Sequence, residues 1–67
     1  MIRQVYRIFD SCSGVYAPPM SFVNNGEATR MFMDQLSFSD SMIAKHPEHF
    51  SLVHVGSEND ATGELIP

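Results

Sequence analysis

The chain has 67 residues, four Lys or Arg against eight Asp or Glu, three His, and a formal net charge of −4. That length allows one domain, residues 1–67, with a core supplying only about 3–5 kcal/mol, and the single cysteine rules out an intrachain disulfide as reinforcement. No apolar run approaches the ~18 residues of a membrane span, and net acidity speaks against a generic basic nucleic-acid coat while leaving room for a local positive patch.

Residues 2–9, Ile-Arg-Gln-Val-Tyr-Arg-Ile-Phe, are rich in β-branched and aromatic types. Asp10-Ser11-Cys12-Ser13-Gly14 is a turn cluster, and Val15-Tyr16-Ala17 follows it, so the N-terminal segment reads as a β-hairpin. Cys12, flanked by serines, is expected to be an exposed turn residue and suits a reducing compartment. Pro18-Pro19 end the second strand or confine it to an edge, because neither can donate to a ladder. Met20 to Val23 continue extended.

Asn24 followed three residues later by Glu27 has the spacing of a capping box and predicts a helix start. Ala28, Met31, Phe32 and Leu36 recur at helical spacing, an amphipathic stripe of core type running to about Ser37. Met42 to Lys45 form one more turn before Pro47 forbids continuation. Phe50 to Val55 read as a third strand, apolar enough to be covered on both faces and ended by Gly56. Ser57 to Gly63 are an acidic turn region, and Leu65-Ile66 suggest a short fourth strand. The expected fold class is α+β: a small antiparallel sheet packed on one helix.

Pairing the first two strands about Ser11 to Ser13 puts Ile2, Tyr6, Ile8 and Tyr16 on one face and Arg3, Val5, Arg7, Phe9, Val15 and Ala17 on the other. The first set is uncharged and should meet the helix. One helix cannot cover both faces, so the second set meets solvent or a partner. Two partners fit. Arginines that grip phosphates beside an aromatic platform suit single-stranded nucleic acid. Alternatively, Val5, Phe9, Val15 and Ala17 form the seam of a homo-oligomer, dimer-based, with the arginines at its rim. Charge is lopsided: residues 1–33 carry a net +1 and residues 34–67 a net −5.

His46, Glu48, His49 and His54 are the one plausible metal set. The spacing lacks cysteines or a second close histidine pair, so neither a metal nor another cofactor is expected. No nucleophile elbow, phosphate-binding glycine loop or metalloprotease helix occurs, and no enzymatic activity is expected.

Several segments in order, Val5-Tyr6 with Ile8-Phe9-Asp10, Tyr16-Ala17-Pro18-Pro19, and Lys45-His46-Pro47-Glu48 leading into Phe50, Leu52 and Gly56 with Asp60 and Gly63 beyond, resemble the small non-structural protein of gokushoviruses. Those are single-stranded-DNA microviruses of bacteria. The resemblance implies a DNA-binding protein absent from the mature virion and associated with viral DNA synthesis or packaging. With the basic, aromatic face it leads to the expectation of a protein of the host cytoplasm, not in a membrane, that binds single-stranded DNA during genome replication or packaging. Carried over, Tyr16, Pro18, Pro19, His46, Pro47 and Phe50 are architectural, while Arg3, Arg7 and Lys45 are the positions expected on phosphate, with Phe9 or a tyrosine stacking on bases. The chain departs from the family pattern at His49, where an acid is usual, and at Ser57-Glu58-Asn59, where an aromatic is usual. The rival expectation is an oligomeric interaction module that docks on a replication protein without touching DNA, motivated by the acidic C-terminal half.

Overall fold

In the computed structural model, which describes residues 1–67, the N-terminal extended run is a nine-residue strand, β1 (Ile2–Asp10). It is the centre of a curled antiparallel sheet. On one side it pairs with β4 (Phe50–Asn59), and on the other with the short β2 (Val15–Tyr16) and β3 (Met20–Phe22); β5 (Leu65–Ile66) pairs with the far side of β4. One main helix, α1 (Asn25–Ser37), and a single turn, α2 (Met42–Lys45), complete the α+β fold, with a 3-10 turn at Pro47–His49 leading into β4.

The first hairpin turns on Asp10. Its carboxylate accepts from the Cys12 N–H at 2.9 Å and the Ser13 hydroxyl at 3.0 Å, and its carbonyl accepts from the Gly14 N–H at 2.8 Å. Burial pushes the Asp10 carboxyl upward, but the hydrogen bonds from Cys12 and Ser13 and the nearby His49 hold it below its ordinary 3.8. Gly14 closes the turn at φ +76°, a conformation glycine adopts without steric cost. Four residues therefore connect the strands, and Phe9 stands opposite Tyr16, with Asp10 opposite Val15. This register lies one residue from the expected one, so the faces of β2 are exchanged. Tyr16 joins Phe9, and Val15 turns to the side of Tyr6.

β2 and β3 are two parts of one returning strand. Ala17 still donates to the Ile8 carbonyl at 2.8 Å, whereas Pro18 and Pro19 cannot, and the register against β1 slips by one residue across them. Asn24 caps α1 as its spacing predicted, accepting from the Glu27 N–H at 2.9 Å. Glu27 accepts in return from Val23 at 3.4 Å, one residue ahead of the cap. The Tyr6 hydroxyl donates to Asn25 Oδ1 at 3.1 Å and ties the start of the helix to β1. Tyr6 also meets Phe22 edge-on at 6.0 Å and stacks on His54 at 4.9 Å. Of the predicted helical stripe, Ala28 is wholly buried and Met31, Phe32 and Leu36 are half-buried.

β4 corrects two expectations. Gly56 does not end the strand, which runs on to Asn59 past a bulge where Val55 is the extra residue between His54 and Gly56. Nor is β4 covered on both faces, since Ser51, His54 and Val55 are exposed. Gly56 is instead a point of close approach: a Cβ there would lie 2.6 Å from the Ile66 carbonyl oxygen and 3.3 Å from Pro67 Cα.

Only Val5, Tyr6 and Ala28 are fully buried. The molecule measures 38 × 23 × 14 Å with a radius of gyration of 12.8 Å, against about 11 Å for a well-rounded domain of this length. The flatness follows from the architecture. The helical elements lie on the Tyr6 side of the sheet, and the other side is closed only where β5 and Pro19 curl toward Val5.

Candidate nucleic-acid interface

Strand alternation sends Arg3, Val5, Arg7 and Phe9 to the sheet face turned away from Tyr6. The observed hairpin register adds Tyr16 to them. Its ring packs against Phe9 with centroids 4.7 Å apart and a 45° tilt, and the Arg7 guanidinium carbon lies 5.8 Å from the Tyr16 centroid. That distance is within the range of a cation–π contact. Arg7 Nε donates to the Ala17 carbonyl at 2.8 Å, which fixes the guanidinium and leaves its terminal nitrogens without a protein partner. Arg3 is anchored in the same manner, through Nε to Ser21 Oγ at 3.3 Å and Nη2 to the Ser21 carbonyl at 3.4 Å. Four residues of strand separate the two arginines by about 13 Å.

The surface is therefore prearranged: two tethered guanidiniums follow one strand, and an aromatic pair borders the second of them. Tyr16 remains 48% exposed, so part of its side chain is open to solvent beside Phe9 and Arg7. Glu58 stands opposite Arg3 in the β1–β4 register without forming an ion pair, and it is the one acid paired onto this stretch.

The remaining expected site residues disperse. Lys45 is exposed on α2, whose Met42 borders a hollow with Asp10 and Phe50 on the Tyr6 side, so it does not join the two arginines. Of the expected oligomer seam, Phe9 stays beside Arg7, Val15 faces the other way, and Ala17, opposite Ile8, meets Arg7 only through its backbone carbonyl. Val5 is 7% exposed and forms the floor of a groove of about 540 Å³ walled by Pro19, Val55, Leu65 and Pro67, with Arg7 at its edge. The pairing read from sequence placed Tyr16 on the face toward the helix, and the observed register puts it beside Phe9 and Arg7 instead. The signal was the even count of residues in the Ser11–Gly14 connection.

The histidines separate in space. His54 belongs to the Tyr6 side, with Nε2 2.9 Å from Gln4 Oε1. His46, Glu48 and His49 come together, their ligand atoms all within 4.8 Å of one another. Cys12 is exposed in the turn, as expected.

A family model described as Phage ORF5 protein matches residues 3–67. The chain belongs to this phage protein family. No curated protein and no solved structure matches it. The phage origin implied by the sequence resemblance is thus supported at the level of phage. In this phage ORF5 protein the matched span takes in Arg3, Arg7, Phe9, Tyr16 and the whole groove.

Proposed function

We propose that this phage ORF5 protein is a non-enzymatic accessory protein of a gokushovirus-type phage. In this reading it binds single-stranded DNA in the host cytoplasm during genome replication or packaging. The observation that carries the reading is the Phe9–Tyr16 pair beside the tethered Arg7 on an uncovered sheet face. Single strands offer phosphates to guanidiniums and unstacked bases to aromatic rings, and a sheet with one open face can present both together. Arg3 and Arg7 would hold phosphates and Tyr16, backed by Phe9, would carry a base. Lys45, in the helical layer, is left out of the contact set. A homo-oligomer would supply the burial that three core residues do not, and would set several such faces side by side.

A second reading, an interaction module for a replication protein, is favoured by the net charge of −4 and by the apolar groove over Val5. Titration of fluorescently labelled oligo-dT separates the two. With two phosphates neutralised on a single strand, log K falls with log salt at a slope of about −1.4, or roughly sevenfold between 50 and 200 mM. No binding at low salt, or equal affinity at both concentrations, overturns the DNA reading and leaves the interaction module.

A further inference from the structure

We propose that His46, Glu48 and His49 form a binding site for one divalent transition-metal ion of the zinc class. Three donors, two imidazole nitrogens and a carboxylate oxygen, lie within 4.8 Å of one another. The two imidazole rings stack with centroids 5.5 Å apart and 16° between planes, and Glu48 Oε1 is 3.7 Å from His49 Nε2. Donors around a tetrahedral zinc sit about 3.4 Å apart, given bond lengths near 2.0–2.1 Å, so the separations are close to those required, and binding would turn the two rings out of their stack so that both nitrogen lone pairs point at one ion. Imidazole with a carboxylate suits zinc, nickel or copper far better than magnesium or calcium, which prefer oxygen alone.

The backbone that carries these donors is already held. The His46 N–H donates to Met42, the His49 N–H donates to the His46 carbonyl at 3.0 Å, and Pro47 stiffens the turn between them. From the facing loop, Ser11 gives two hydrogen bonds to the His49 carbonyl, 2.8 Å from its N–H and 3.2 Å from its hydroxyl. Below the histidines is a hollow of about 290 Å³ bordered by Asp10, Cys12 and Phe50, which leaves room for water or a further donor at the open coordination position. The sequence offered these three residues together with His54 as its one plausible metal set but without the spacing of a structural zinc site; the 3-10 turn brings the first three together, while His54 stays on the sheet beside Gln4. A bound ion would reinforce the turn that delivers the chain into β4, in a domain whose buried core is three residues.

Zinc chloride titrated calorimetrically into chelator-treated protein is expected to show one saturable site per chain. The melting temperature should rise by about 10 °C or more when zinc exceeds its dissociation constant a hundredfold. His46→Gln and His49→Gln should each weaken binding at least tenfold while circular dichroism shows an unchanged fold, since both side chains lie at the surface. Cys12→Ser and His54→Gln should bind as the parent does. Absence of saturable binding below millimolar zinc, retention of full affinity in both His46→Gln and His49→Gln, or loss confined to Cys12→Ser would each overturn the site.

Discussion

Replacing Arg3 and Arg7 together with alanine is expected to weaken oligo-dT binding about fifty- to a hundredfold at 50 mM salt and to flatten the salt dependence almost completely. Each phosphate contact on a single strand contributes a slope of about −0.7, which at that salt is worth roughly 1.2 kcal/mol. The pair therefore accounts for about 2.5 kcal/mol. Both side chains are half-buried and hydrogen-bond to Ser21 and Ala17, so some loss of stability accompanies the change. Lysine at both positions separates the two effects. It retains the charge and the salt slope while losing the tethered fork, so affinity falls and the slope does not. Tyr16→Ala should do the same by another route, at a cost of about 1–3 kcal/mol for a lost stacking platform. Equal affinity of the alanine pair and the parent protein would remove the arginines from the interface.

Gly56→Ala is expected to destabilise the domain strongly. The added Cβ meets the backbone carbonyl of Ile66 at 2.6 Å, an atom that cannot swing aside as a side chain can. Overpacking of this kind costs about 1–3 kcal/mol, a large share of the roughly 3–5 kcal/mol available to a domain of this size. Either β5 moves away, opening the groove over Val5, or the domain loses most of its stability. Urea denaturation with far-ultraviolet circular dichroism reads the loss. An unchanged midpoint would mean that β5 does not press on Gly56.

The elements most legible in the sequence were those governed by local chemistry. The Asn24 to Glu27 spacing located the start of α1, Pro47 ended α2, and the turn cluster after Phe9 announced the hairpin. What depended on register or distant backbone was not legible. One residue in the hairpin connection decided whether Tyr16 faced the core or the arginines, and only the hydrogen-bond pattern around Asp10 and Gly14 fixes that count. Gly56 read as a terminator because glycines commonly stop strands. Its purpose appears only when β5, ten residues later, crosses over it. The basic face was legible in part, since alternation alone grouped Arg3, Arg7 and Phe9. Lys45 could not be placed from sequence because α2 belongs to a different layer.

The most direct test of the DNA-binding face is amide and side-chain chemical-shift mapping of the isotope-labelled protein as oligo-dT is added at low salt. Dose-dependent shifts are expected at Arg3, Arg7, Phe9, Tyr16 and Ala17, with Lys45 and the α1 residues unmoved. Shifts confined to the groove residues Val55 and Leu65, or to the helical layer, or no shifts at saturating oligonucleotide, would contradict it.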